Sequence, residues 1–318
     1  SDVCSSDLGP VYMRNAYAVA IQSGNPASVR LGVELVPLVK KVPGLTLRYA
    51  VMLPGQAAPL SQGTFALPGG SKDPGQAVPV FENITVSGLP VADGSPSSMC
   101  EVRLAVENEG RIFDAREAPL RNQSFRIAGT SLLQNGQRVF LKGAGAYEAS
   151  RVVVPEQSTA RGTTDYVPYE SWAVARAKRI AEGVKGAGAE WLRFAHHIPV
   201  RRVHETLRTA GIMVYQDFPL LWRTDYRALP VHEIARQFDE FLWRVSAEPA
   251  IGIIAIHNEP EFEYHGKDQA TTQKLINGLI ARAASLTPHL VVVGASGGDG
   301  TAVFPPDRAF SLNDPIDR

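Results

Sequence analysis

IGIIAIHNEP, residues 251–260, is the stretch on which the fold turns. Ile253, Ile254, Ala255 and Ile256 read as a buried strand, and His257, Asn258, Glu259 and Pro260 follow with no polar transition. A carboxylate at the carboxyl lip of a buried strand is costly unless something nearby needs it. Glu259 is therefore either an acid with a task or a loop residue beside a core strand.

Working outward, the same kind of strand recurs. VFLKG (Val139–Gly143), WLRFAH (Trp191–His196), IMVYQDFP (Ile212–Pro219) and HLVVVGAS (His289–Ser296) are apolar runs of strand length. Between them lie segments with helical periodicity: WAVARAKRIAEGVKGAG, VRRVHETLRTAG, VHEIARQFDEFLWRVSA and TTQKLINGLIARAASL. In the first, Ala173, Ala177, Ile180, Ala181 and Val184 mark one face; in the third, Ile234, Phe238, Phe241, Leu242 and Val245 do. Buried-type strands alternating with helices predict a parallel sheet, doubly wound or closing into a (β/α)8 barrel. No glycine-rich phosphate loop follows any strand, GAGAY (Gly143–Tyr147) being the nearest candidate, which weakens the nucleotide-binding version.

Residues 9–130 have another character. SVRLGVELV (Ser28–Val36), LTLRYAVML (Leu45–Leu53), ENITV (Glu82–Val86) and EVRLAVEN (Glu101–Asn108) alternate with period two, and Gly/Pro/Ser-rich connections such as PGGSKDPGQ and VADGSPSSM separate them. This pattern predicts an antiparallel β-sandwich. The domain division expected is a sandwich over 9–130 and a β/α domain over 131–318. The second is short of the roughly 250 residues of a full barrel, so its last strands are expected beyond Arg318 and its final strand should present an unpaired edge.

Bulk properties narrow the function class. Lys+Arg and Asp+Glu both number 32, so the formal charge is zero and gives no pull toward nucleic acid or anionic membranes. No apolar run approaches the roughly 20 residues of a membrane span. Cys4 and Cys100 make neither a disulfide framework nor a metal-ligand spacing. SDVCSSDL, residues 1–8, lacks a secretory pattern and resembles translated adapter DNA; it is read as a non-native leader and set aside. The compartment is not readable, a periplasmic or secreted setting being preferred to the cytoplasm.

In a β/α barrel, chemistry gathers where the strands run out. Arg193 and His196 end the second strand, Gln216 and Asp217 the third, Asn258 and Glu259 the fourth. A polar residue after a strand is more often a cap or turn former. Arg193 is different, because a guanidinium between Leu192 and Phe194 needs a buried anionic partner. Three successive strand ends carrying Arg, Asp and Glu form a constellation that separate turns explain poorly.

NGQRVFLKGAG (Asn135–Gly145), LRFAHH (Leu192–His197), AGIMVYQDFPLLW (Ala210–Trp222) and IIAIHNEP (Ile253–Pro260) resemble successive landmarks of glycoside hydrolase family 2, in that family's order. Upstream, NQSFRI (Asn122–Ile127) resembles the handover from its immunoglobulin-like domain to its barrel. The resemblance covers most of residues 100–295. It implies a retaining hydrolase of terminal β-glycosidic bonds with a carbohydrate substrate and no cofactor or metal. Glu259 matches the acid/base, Asn258 the amide on the sugar 2-hydroxyl, and Arg193 the arginine that orients the nucleophile. His196 matches a sugar-facing histidine of galactosidase and glucuronidase members, whereas the segment with Asp217 and Trp222 is closer to mannosidase-type members. Trp222 or Tyr264 offers a ring face for a sugar, and Asp217 completes the expected substrate-binding set. The family's nucleophile sits on a later strand, expected beyond Arg318; Glu148, Asp299 and Asp314 follow no convincing strand, and Glu261 and Glu263 stand too near Glu259. The fragment alone is expected to be inactive. The alternative is a non-catalytic carbohydrate-binding or scaffold protein on the same fold.

Overall fold

The computed structural model describes residues 9–22, 25–42, 44–67, 69–71, 73–90, 100–146, 169–221, 230–258 and 269–295. The chain divides into two compact units, Ser1–Ser124 with Trp243–Pro249, and Phe125–Leu242 with Ala250–Arg318.

The first unit contains β1 (Val11–Gln22), β2 (Ala27–Pro37), β3 (Lys41–Val42), β4 (Leu45–Met52), β5 (Ser61–Leu67), β6 (Gly70–Ser71), β7 (Val78–Val86), β8 (Cys100–Asn108) and β9 (Arg111–Arg121). Seven of them form one sheet in the order β5-β4-β8-β9-β1-β2-β7, and β3 pairs with β6 apart from it. All neighbours in the seven-stranded sheet are antiparallel except β1 and β9, which meet in parallel at Ala18–Leu120 and Val19–Arg121. Leu31, Val29 and Val86 from one end of the order share a core with Leu47, Val51 and Val102 from the other, so the sheet curls onto itself and is nearly closed.

One row across this sheet has an unusual composition. Tyr17 on β1 faces Gly32 on β2, which faces Phe81 on β7. A Cβ on Gly32 would lie 2.3 Å from the Tyr17 ring, so the missing side chain is the slot in which the ring rests. Trp243 covers the row, its ring 5.6 Å from Tyr17 and stacked at 5.7 Å and 10° on Phe81, while the Arg30 guanidinium sits 4.4 Å from the Phe81 centroid.

The second unit opens with β10 (Phe125–Ala128), β11 (Ser131–Gln134) and β12 (Gln137–Arg138), a small antiparallel sheet. There follow β13 (Gly143–Ala146), α1 (Tyr169–Gly186), β14 (Trp191–Phe194), α2 (Arg201–Thr209), β15 (Met213–Leu221), α3 (Val231–Ser246), β16 (Ile251–Asn258), α4 (Gln269–Leu286) and β17 (Val291–Ala295). The five strands from β13 to β17 pair in chain order, all parallel. β16 is buried along its whole length, as its unbroken apolar run predicts for a strand covered on both faces.

The first strand of this sheet differs from expectation. Val139 and Leu141 do not form it; they pack under the sheet against a cluster containing Phe125, Leu132, Trp191 and Met213. The strand is GAGA, Gly143–Ala146, and packing explains the choice of residues: a Cβ on Gly143 would meet the Trp191 carbonyl oxygen at 2.8 Å. Helices α1 and α2 end alike. Gly188 and Gly211 take φ of 68° and 74°, and the next amides, Ala189 and Ile212, donate back to Val184 and Leu207. This glycine-terminated turn satisfies the last carbonyls and aims the chain into the following strand. No helix among the described residues is long and apolar enough to cross a membrane.

Candidate functional site

Arg193 lies one residue before the end of β14, and its register partner on β15 is Tyr215. Side chains on a strand alternate faces, so the next residue on the Tyr215 face is Asp217. The two side chains meet: Arg193 Nη2 donates to Asp217 Oδ2 at 2.6 Å and Nε to Oδ1 at 3.2 Å. Asp217 is 0% exposed, whereas the Arg193 side chain keeps 22% of its surface in solvent. The guanidinium also lies 5.4 Å from the Tyr215 ring centroid. Here is the buried anion that a guanidinium inside an apolar run requires.

The same Nη2 donates to Asn258 Oδ1 at 2.5 Å. Because arginine only donates, the oxygen of the Asn258 amide must face it, which fixes the orientation of the group. Asn258 Nδ2 then points elsewhere; it is buried and has no hydrogen-bond partner among the described residues. A buried donor left unpaired costs about 1–3 kcal/mol, and such costs are tolerated where a function uses the donor. Three adjacent parallel strands thus bring together one cation, one anion and one aimed amide. Arg193 and Asn258 stand at the carboxyl ends of β14 and β16. Asp217, expected to end its strand, is instead the middle residue of β15, which runs on to Leu221 and pairs there with Asn258.

A second cluster lies on the other face of β15. Gln216, 0% exposed, donates through Nε2 to the carbonyl oxygens of His197 at 2.7 Å and Asp217 at 2.9 Å. Its Oε1 is 3.3 Å from His204 Nε2 on α2. His197 Nδ1 is 2.9 Å from the Ala195 carbonyl, which makes Nδ1 the protonated nitrogen of the neutral ring. Burial lowers the His197 pKa below the usual histidine value; the Ala195 carbonyl raises it in part, and His196 lowers it further. His196 itself takes φ of 68°, a left-handed conformation rare outside glycine.

The structure brings Arg193, Asp217 and Asn258 into contact and puts His196 in the loop that follows β14. Glu259 and Trp222 lie outside the described residues, as do Tyr264, Glu148, Glu261, Glu263, Asp299 and Asp314. Gln216 stood out in the sequence as a strand-end residue without a role. His204 did not stand out, although a histidine between Val203 and Leu207 on the buried face of α2 was the available signal. Among the described residues, no group of three or more His, Cys, Asp or Glu is placed to hold a metal ion.

Comparison with known proteins gives a likeness of fold. No family model matches the sequence, and no curated protein does. Among solved structures, a putative beta-galactosidase from Bacteroides fragilis aligns over 97% of this chain and 40% of its own, with a TM-score of 0.64 and 17% identity. A glycosyl hydrolase family 2 member from Bacteroides cellulosilyticus aligns over 91% and 37%, with a TM-score of 0.67 and 14% identity. Parabacteroides merdae beta-glucuronidase aligns over 91% and 35%, with a TM-score of 0.63 and 13% identity. The chain therefore spans well under half the length of these structures.

Proposed function

We propose that this protein is a retaining β-glycosidase of the glycoside hydrolase family 2 type. In this reading the first unit is an immunoglobulin-like sandwich, and the five parallel strands with their helices belong to a (β/α)8 barrel. The substrate is a terminal β-galactoside, β-mannoside or β-glucuronide.

The observation that carries the reading is the Arg193–Asp217–Asn258 cluster, with its unpaired Asn258 amide directly before Glu259 in the chain. Glu259 protonates the leaving oxygen and then takes a proton from water, which requires a carboxyl whose pKa is raised by an apolar setting. Asn258 Nδ2 donates to the sugar 2-hydroxyl, a bond that strengthens as the ring flattens toward the oxocarbenium-like transition state. Asp217 holds the Arg193 fork in place, so that the arginine orients the nucleophilic carboxylate. His196 and Trp222 contact the sugar. No residue of this chain is assigned the nucleophile's part.

The test uses the product of the complete reading frame. Glu259→Gln should lower hydrolysis of alkyl β-glycosides by roughly 10²–10⁴-fold, the usual worth of a general acid. The loss in kcat/KM should be much smaller for dinitrophenyl glycosides, whose leaving group needs no proton, while their kcat still falls because the second step needs Glu259 as base. Equal losses in kcat/KM on both substrates would remove Glu259 from the acid role. Sugar binding without turnover in the unsubstituted protein would leave a carbohydrate-binding protein instead.

A further inference from the structure

Gln216 is a polar side chain in a place where packing alone asks for none. It stands on the α2 side of β15, 0% exposed, at a position whose register partners are Phe194 and Ile254. An apolar residue of similar volume would fill that space without having to satisfy a buried amide. The amide is satisfied, and the direction of its bonds is informative. One Nε2 hydrogen goes to the main chain of the β14–α2 loop at His197, the other to the Asp217 carbonyl, while Oε1 faces His204 on α2. One side chain therefore ties the loop after β14, the strand that carries Asp217 and the helix behind them.

The loop so held is not relaxed. His196, between the anchored His197 and the end of β14, has φ of 68°, a conformation a non-glycine residue keeps only where its surroundings impose it. His197 is fixed further by its Nδ1 contact with the Ala195 carbonyl and by its edge against the Phe194 ring, centroids 5.4 Å apart. Phe194 also meets His204 edge-on at 6.0 Å, which joins the loop anchor to the helix anchor.

We infer that Gln216 is a positioning residue: from behind the sheet it holds the His196–His197 segment in the conformation that receives the sugar. This rests on the glycosidase reading above and names a residue that acts through the loop without touching substrate.

The experiment compares steady-state kinetics of the complete protein with its Gln216→Met variant on aryl β-glycosides, together with hydrogen exchange of peptides covering Ala195–Val200. A displaced sugar-contacting loop weakens binding, so KM should rise about tenfold, the worth of one hydrogen bond to substrate, with kcat changed less than about twofold. Exchange in Ala195–Val200 should quicken at the same time. Gln216→Glu keeps the shape and, protonated in this buried setting, offers one donor where the amide has two. It should raise KM in the same direction by a smaller factor, which keeps the inference testable even if Gln216→Met folds poorly. A merely structural role lowers the active fraction, which reduces kcat and leaves KM alone; that result, or no change in either constant, overturns the inference. An unsubstituted protein that neither binds nor cleaves any aryl β-glycoside overturns the glycosidase reading itself, and is distinguished by its failure before any substitution is made.

Discussion

Both carboxylate oxygens of Asp217 are held by the Arg193 guanidinium, and the two residues differ in solvent contact: the acid has none, the base keeps about a fifth of its side chain in water. The asymmetry predicts unequal substitutions. Arg193→Met strands a fully buried anion and should cost about 3–5 kcal/mol. Asp217→Asn leaves a cation that can still reach solvent and should cost less. Arg193→Met with Asp217→Asn should cost less than the two single changes summed. Urea unfolding of the four proteins checks the order.

Gly32 and Gly63 both sit under tyrosine rings, and only one of those rings has room to move. A Cβ on Gly32 meets Tyr17 at 2.3 Å, and Tyr17 is 1% exposed and packed by Trp243. A Cβ on Gly63 meets Tyr49 at 2.8 Å, and Tyr49 is only half-buried. Gly32→Ala should destabilise by about 1–3 kcal/mol through overpacking. Gly63→Ala should be near neutral, since alanine in a strand otherwise gains roughly 0.5–1 kcal/mol over glycine. Melting temperatures of the two variants decide it.

The His197 imidazole is held neutral in the folded chain, its pKa pushed below 6.5 chiefly by burial. A depressed histidine pKa means the unfolded chain binds the proton first. The stabilisation is therefore complete above about pH 6.5 and is lost as the pH falls from there toward the folded pKa. Between pH 7.5 and 5 the melting temperature of His197→Gln should fall less than that of the unsubstituted protein.

Trp243 is 5% exposed and packs on Tyr17 and Phe81 together. Trp243→Ala should cost about 3–5 kcal/mol, as large-to-small changes of buried aromatics do. Thermal unfolding followed by the near-ultraviolet signal of Tyr17 and its neighbours is the measurement.

The second unit was more legible than the first because its signals are those of burial. Ile253–Ile256 read as covered strand, and the polar residues Arg193 and Asn258 mark where β14 and β16 end. Asp217 does not mark such an end, since β15 runs on to Leu221. What the sequence did not join was Arg193 to Asp217: each lies on its own strand, and only the parallel register makes them neighbours. The strand at Gly143–Ala146 was unreadable for a related reason, since its small residues answer to the Trp191 main chain and carry no pattern of their own. In the first unit, β1 and β9 escaped notice. Irregularities at Met13/Asn15 and Ala20/Gln22 break the period of β1, and the exposed charges of β9 mask its alternation.

The Tyr17–Gly32–Phe81 row has a consequence for biosynthesis. Its cover, Trp243, belongs to the first unit but is encoded long after it. When Ser124 leaves the peptidyl transferase centre, residues 125 to 249 must still be made before this unit holds all its parts. At about 5–20 residues per second that is a delay of roughly 6–25 s. For that interval the nascent chain carries a tyrosine, a phenylalanine and the strip of main chain between them without the indole that covers them in the finished unit.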